Sequence, residues 1–275
     1  MTSVARALSR ATQALSATSD TPRLDAELLM AAALGIGRDT LILRPPAGDV
    51  PDSFAAMIAR RAEGEPIAYI TGQRAFWTID LEVGPGVLIP RPDSETLLVA
   101  AIDHFGSAGP ARILDLGTGP GTLLLAALDE WPDATGIGID QSDEALHYAR
   151  RNAVRLGLAP RSDFRTGDWG KGIDERFDLI LCNPPYVAED ADLGAGVREH
   201  EPAEALFAGP EGLDDYRRLL PDLPRLLADG GLAAVEIGFD QAGSVGSLAR
   251  DVGFEVAVAH DLGGRSRALL LTLRR

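Results

Sequence analysis

A chain of 275 residues that is 45% hydrophobic has room for one large α/β domain and a small second one, and its apolar runs fall well short of the roughly 18 residues a membrane span needs. Its 41 acidic against 26 basic residues give a formal charge of −15, which opposes attraction to a phosphate backbone and disfavours nucleic acid as a substrate. Cys182 is the single cysteine, which excludes an intrachain disulfide and cysteine-rich metal sites and fits a reducing, cytoplasmic setting.

Residues 1–66 read as a helical module. Val4, Leu8, Ala11 and Leu15 recur at helical spacing, so an amphipathic first helix accounts for an acid-poor start with Arg6 and Arg10 that would also suit a mitochondrial transit peptide. Pro22, after Asp20 and Thr21, opens a second helix whose inward face is expected to carry Leu24, Leu28, Leu29 and Ala32 before Gly35 stops it. A further helix is expected from Ser53 to Ala62, capped by Asp52 or Ser53, with Phe54, Met57 and Ile58 inward and Gly64 as its end. Four short helices make a small bundle, better suited to docking a partner than to chemistry.

Over residues 67–90 the period changes. Ile67-Ala68-Tyr69-Ile70, Ala75-Phe76-Trp77-Thr78-Ile79 and Leu81-Glu82-Val83, punctuated by Gly72 and Gly84, predict a β-hairpin linker. Residues 91–275 form the third region, in which a helix capped near Asp93 or Ser94 carries Leu97 and Leu98. From residue 111 onward, strands are expected at 112–116, 135–139, 162–166, 177–182, 232–237 and 266–273, with helices between them. That alternation predicts a Rossmann-like α/β domain with a mostly parallel sheet covered on both faces.

The first of these strands, ending Asp115-Leu116, runs into Gly117-Thr118-Gly119-Pro120-Gly121-Thr122 and then an apolar helix. Glycines at such a turn let the backbone approach a ligand and leave helix-opening N–H groups free. The second strand ends in Asp140, where a carboxylate can accept hydrogen bonds from two ribose hydroxyls. A dinucleotide enzyme competes for this pattern, but its fingerprint is Gly-x-Gly-x-x-Gly, and Asp115 would sit badly beside a pyrophosphate. S-adenosylmethionine, with an ammonium, a sulfonium and a ribose but no phosphate, suits the turn better. Asp168-Trp169, after the strand at 162–166, can border an adenine ring or serve as a helix cap with a half-buried Trp.

Asn183-Pro184-Pro185-Tyr186 follows the buried strand ending at Cys182 and so lies at the carboxyl edge of the sheet, where open α/β folds bind ligands. Each proline fixes its own φ and holds the preceding residue extended. The Asn183 side-chain oxygen and the Pro184 carbonyl are thereby presented rigidly, an arrangement suited to a planar group bearing NH2.

With Gly117, Gly119, Gly121, Asp140 and Asn183 to Tyr186 in this order, the chain resembles the class I S-adenosylmethionine-dependent methyltransferases. More narrowly it resembles the peptide chain release factor glutamine N5-methyltransferase family, PrmC/HemK type. Segments spread over nearly the whole chain carry the likeness, including Arg23 to Leu29, Glu65 to Gly72, Val87 to Pro92, Glu201-Pro202, Gly212-Leu213-Asp214 and Glu236-Ile237-Gly238. Departures are Asp93-Ser94-Glu95, where the family usually has Glu-Thr-Glu, and Pro120 inside the glycine turn. The resemblance implies an enzyme that methylates the glutamine of a Gly-Gly-Gln motif in release factors, with the Asn183 loop holding that glutamine and the amino-terminal helices gripping the factor.

It also implies Asp115, Gly117, Thr118, Gly119, Pro120, Gly121, Asp140, Asp168, Trp169 and Asn183 around the methyl donor, and Asn183, Pro184, Pro185 and Tyr186 around the substrate, Tyr186 as a wall. Adenine N6-methyltransferases share the tetrapeptide, and glutamine methyltransferases of ribosomal proteins are closer cousins; a non-catalytic S-adenosylmethionine-binding scaffold is a reading of another class. His104, His147, His200 and His260 are scattered, so no metal site is expected. Arg91 and Glu95 either brace the pocket or pair at a helix start.

Overall fold

A computed structural model describes residues 3–44, 46, 48–194 and 196–274. It divides into two compact units, Met1–Gln73 with Leu193–His200, and Arg74–Asp192 with Glu201–Arg275. Among the described residues no helix is long and apolar enough to cross a membrane.

The first unit contains α1 (Val4–Leu15), α2 (Pro22–Leu34), α3 (Arg38–Leu43), α4 (Asp52–Ala62) and α5 (Ile67–Thr71). Val4, Leu8 and Ala11 of α1 pack with Ala26, Leu29 and Met30 of α2, with Leu41 and with Phe54. Pro22 stands in the first turn of α2, and Gly35 closes the helix in the left-handed conformation at φ 65°. The inward face of α2 differs from the expected one. Asp25, Ala26, Glu27, Leu29, Met30 and Ala31 are buried, whereas Leu24 and Ala32 are exposed and Leu28 is intermediate.

Tertiary pairing explains the difference. Asp25 accepts hydrogen bonds from Arg61 Nε at 2.7 Å, Ser19 Oγ at 2.8 Å and Thr21 Oγ1 at 3.0 Å, and Glu27 is held by Arg23 and Arg38. A buried carboxylate is tolerated once it is paired and hydrogen-bonded, so two charged positions replace two apolar ones on this face.

Ile67–Thr71 is a helical turn, not the first strand of a hairpin. Pro66 caps it, Gly72 ends it at φ 73°, and Ala68, Tyr69 and Ile70 are all buried, which a half-exposed strand would not allow. The hairpin itself is short, β1 (Gln73–Phe76) and β2 (Ile79–Glu82), turned at Trp77 with φ 53°. Leu193–His200, from far along the chain, completes the first unit. Gly196 there has φ 86°, and a Cβ on it would come within 2.7 Å of the Gly64 carbonyl, so both backbone angle and space demand glycine.

In the second unit α6 (Glu95–Phe105) precedes β3 (Arg112–Leu116), α7 (Thr122–Glu130), β4 (Thr135–Asp140), α8 (Asp143–Arg155), β5 (Ser162–Thr166) and β6 (Phe177–Cys182). Past a short helix of the first unit, α9 (Val197–His200), come α10 (Asp214–Leu219), α11 (Leu223–Leu226), β7 (Leu227–Glu236), α12 (Ala242–Asp251), β8 (Phe254–His260) and β9 (Ser266–Leu273). The seven strands run in the order β5-β4-β3-β6-β7-β9-β8. The first five are parallel, and β9 pairs antiparallel with both β7 and β8.

Leu114, Leu116, Ile180, Val235 and Leu269 are buried in the sheet core with Phe177, Phe254 and Tyr216. Two features depart from the expected strands. β7 begins at Leu227, its pairing with β6 shifting register between Phe177 and Leu179, so Asp229-Gly230-Gly231 lies inside a strand. β8 was not expected at all; it is an edge strand with only Phe254 fully buried, which erases the alternation that marks a strand.

Candidate active site

The strand order reverses at β3, with β4 on one side and β6 on the other, and open parallel sheets bind ligands in the crevice at such a switch. Leu116 is the register partner of Cys182 in β6 and of Ile139 in β4. The glycine turn, the Asn183 loop and Asp140 therefore leave the sheet side by side, and a pocket of about 630 Å³ opens there.

Gly117, Gly119, Asp140, Asp168, Trp169, Asn183 and Pro185 line that pocket. Asp115, Thr118 and Pro120 border a smaller cavity of about 50 Å³ that shares Gly117, Gly119 and Asn183 with it. Gly121, Pro184 and Tyr186 line neither. Tyr186 packs against the sheet core, and its hydroxyl donates to Glu236 Oε1 at 3.2 Å.

The turn is held by its own carboxylates. The amides of Gly117 and Thr118 donate to Ile139 O, each at 2.9 Å, and Gly119 N donates to Asp140 Oδ2 at 2.8 Å. Ser142 N donates to Asp140 Oδ1 at 2.9 Å. Burial raises the Asp140 pKa while the amides of Ser142 and Gly119 oppose that rise. Asn152 Nδ2 donates to the carbonyls of Pro120 at 2.9 Å and Glu82 at 3.0 Å, tying α8 to both the turn and β2. Nothing in the chain's spacing marks Asn152 for this.

Asp115 is 1% exposed. Its Oδ2 accepts from Thr118 Oγ1 at 2.6 Å and Leu124 N at 3.1 Å, while its Oδ1 has no hydrogen-bond partner. Burial pushes its pKa up to about 7, the Thr118 hydroxyl and Leu124 amide hold it down, and the Asp140 charge adds to the rise. A buried carboxylate with one free oxygen fits an ammonium group and would repel a pyrophosphate.

Asp168 is paired with Lys171 at 2.5 Å and Arg218 at 2.6 Å, and these partners keep its pKa low. Trp169 adopts φ 51°, a left-handed conformation rarely seen for a bulky residue. Its ring lies over Gly117, where a Cβ would stand 3.3 Å from Trp169 Cζ3.

Asn183 Nδ2 donates to Ser94 Oγ at 3.1 Å. The segments flanking the loop are stapled together: Glu201 Oε1 accepts from Arg91 Nη2 at 2.6 Å and Glu201 Oε2 from Ile89 N at 3.0 Å. Val187 forms an isolated bridge with Phe207, itself a pocket residue. Arg91 and Glu95 do not pair; Glu95 Oε1 accepts from Trp77 N at 3.1 Å. Replacing Arg91 by Ala leaves the Glu201 carboxylate, 1% exposed, without its charge partner, and unfolding in urea is expected to show a loss of about 2 kcal/mol, discounted for the partly exposed arginine.

Ser94 is expected only as a helix cap, and Glu201 and Glu236 stand only in segments that carry the family resemblance. Their roles depend on pairings 50 to 112 residues apart, which periodicity cannot reveal.

The match to known proteins covers both units. A model described as the PrmC N-terminal domain matches residues 6–72, and a methyltransferase domain model matches residues 109–235. Release factor glutamine methyltransferase of Caulobacter vibrioides is 42% identical over 258 residues, covering 91% of this chain and 89% of that protein. The enzymes of the same name from Agrobacterium fabrum and Pseudomonas aeruginosa are each 43% identical, covering 92% of this chain and 91% and 93% of theirs. Among solved structures, a methyltransferase from Pyrococcus furiosus aligns with a TM-score of 0.55 at 20% identity, over 79% of this chain and 98% of that one. A ribosomal protein L11 methylase from Lactobacillus delbrueckii subsp. bulgaricus aligns with a TM-score of 0.53 at 20% identity, over 71% of this chain and 86% of that one, which shows a shared fold. With relatives of this identity matched along nearly their whole length, the chain belongs to the release factor glutamine methyltransferase family.

Proposed function

We propose that the chain transfers a methyl group from S-adenosylmethionine to the side-chain nitrogen N5 of a release factor glutamine, the glutamine of a Gly-Gly-Gln motif. One contact supports the assignment of the acceptor site: Asn183 lines the pocket and spends its Nδ2 on Ser94, which leaves Oδ1 available as an acceptor. Oδ1 and the Pro184 carbonyl each take one hydrogen of a substrate NH2. When bound, S-adenosylmethionine supplies a methyl group already activated by the sulfonium. Asp140 would hold its ribose hydroxyls, the free Asp115 oxygen its ammonium, and Trp169 would border its adenine.

An amide nitrogen is a poor nucleophile, so the contribution of these residues is orientation. Fixing the nitrogen in line with the methyl carbon accounts for about 7 to 11 kcal/mol of a barrier of this kind. The nitrogen lone pair forms the new N–C bond, the C–S electrons leave with sulfur, and the methylated nitrogen is acidic enough to release its proton to water. Glycines before the target residue let its side chain pass between the stapled walls.

The amino-terminal helices, residues 1–66, are read as the docking module. Ile42 is 47% and Leu43 78% exposed there, apolar groups left without cover inside their own unit. Leu43→Glu is expected to raise KM for the intact release factor about tenfold with kcat unchanged, a steady-state measurement.

Labelled S-adenosylmethionine offered with a release factor, its Gln→Ala variant, a ribosomal protein or adenine-containing oligonucleotides tests the reading. Label on the wild-type factor and none on the variant is expected. Label on the oligonucleotide or ribosomal protein alone would establish the adenine or ribosomal alternative, and no transfer with intact donor binding would leave a scaffold. The acidic balance and single buried cysteine support a cytoplasmic protein substrate.

A further inference from the structure

Behind the Asn183 loop lies a buried polar chain that the chemistry above does not use. Cys182 pairs in register with Val235, so the next residues, Asn183 and Glu236, leave β6 and β7 together. Glu236 is fully buried, and Ser94, 2% exposed, stands between it and Asn183. Tyr186 donates to Oε1, while Oε2 completes no hydrogen bond with regular geometry and is the acceptor open to the Ser94 proton.

We propose that Glu236 is a positioning residue for methyl transfer: acting through the Ser94 hydroxyl, it decides which end of the Asn183 amide faces the pocket. The proposal rests on the reading of Asn183 Oδ1 as the substrate's acceptor. A hydroxyl has one hydrogen to give. With Glu236 ionised, that hydrogen points to the carboxylate, Ser94 Oγ must accept, and Asn183 offers it Nδ2, the arrangement observed at 3.1 Å. With Glu236 protonated, its own proton occupies Ser94 Oγ, the Ser94 hydrogen turns to Asn183, and Oδ1 swings inward to receive it. Nδ2 then faces the pocket, a donor opposed to the donors of the substrate.

The groups around Glu236 set where the change occurs. Burial pushes its pKa up to about 7; the Ser94 hydroxyl, the Arg267 guanidinium from β9 and the Tyr186 hydroxyl pull it down, and Asp93 pushes it up. Arg267 is held by Asp93 at 3.0 Å and Asp261 at 3.3 Å. From α10 the Tyr216 hydroxyl donates to the Glu236 carbonyl at 2.8 Å, and the Cys182 thiol, neutral through burial, closes the β6 side. Glu236 changes charge near neutrality, as does Asp115 of β3, which borders the small cavity with Ser94 and Asn183 and whose effect on donor binding is removed from kcat by saturating donor. Protonation of Glu236 at low pH thus presents the wrong end of Asn183, and activity rises with pH.

The test is kcat at saturating methyl donor and release factor from pH 6 to pH 8.5, for the parent, Glu236→Gln and Ser94→Ala. The parent is expected to lose about tenfold in kcat from pH 8 to pH 6, while both variants are slower at pH 8 by about tenfold and nearly flat with pH. Calorimetric affinity for S-adenosylmethionine stays within about threefold in both, which separates positioning from a collapsed site. Should Glu236→Gln misfold, Ser94→Ala carries the same test without touching the sheet. A variant that keeps the parent's pH profile, at any rate, overturns the proposal. If Asn183→Ala is itself fully active, the acceptor reading falls; if it is inactive while Glu236→Gln behaves as the parent, only the role of Glu236 falls.

Discussion

Asn183→Ala is expected to lower kcat for methylation of a release factor by about a thousandfold, on the order of 4 kcal/mol of barrier, with S-adenosylmethionine affinity changed by no more than a few fold. The substitution removes one of the two acceptors proposed to fix the amide nitrogen and frees Ser94 Oγ of its donor. The Pro184 carbonyl remains, so residual orientation survives and the loss stops short of the full contribution of positioning. Single-turnover rates and donor affinity measured side by side check this. A variant that methylates at a rate near the parent's shows that the nitrogen is positioned elsewhere.

Asp115→Asn should make the enzyme free of its donor more stable and bind that donor more weakly. In the unfolded chain an aspartate ionises near 3.8; in the fold burial moves Asp115 to about 7. Between those values the folded state holds the extra proton, so stability falls as pH rises through the window and stays reduced above it. Asparagine keeps an acceptor for the Thr118 hydroxyl and the Leu124 amide without a charge to desolvate. At pH 8 the variant is expected to gain on the order of 3 kcal/mol in urea unfolding, and at pH 4 almost nothing. Loss of the charge proposed to face the donor's ammonium should weaken its binding about a hundredfold by calorimetry. A variant less stable than the parent at pH 8 refutes the account.

Sequence made the sheet legible because parallel strands buried on both faces are written as nearly continuous apolar runs, such as Phe177 to Cys182. It likewise announced the glycine turn, Asp140 and the Asn183 loop, since each stands at the end of such a run. What it hid had no local period. The α2 face could not be placed without knowing that Arg61 and Arg38 would neutralise Asp25 and Glu27. Ile67 to Ile70 has strand composition, and only burial of three neighbours in a row, between Pro66 and Gly72, makes it helical. β8 lies at an edge where exposure blurs alternation. The partner of the Tyr186 hydroxyl, Glu236, lies fifty residues away and leaves no local signal.

Leu193–His200 has a consequence for synthesis. That segment belongs to the amino-terminal unit, and a Cβ on Gly196 would stand 2.7 Å from the Gly64 carbonyl. A ribosome adding about 5 to 20 residues per second therefore releases most of this helical bundle on the order of ten seconds before its last piece exists. The module expected to grip a release factor is finished only after the Asn183 loop has been made, so a nascent chain cannot display a completed grip ahead of its own catalytic loop.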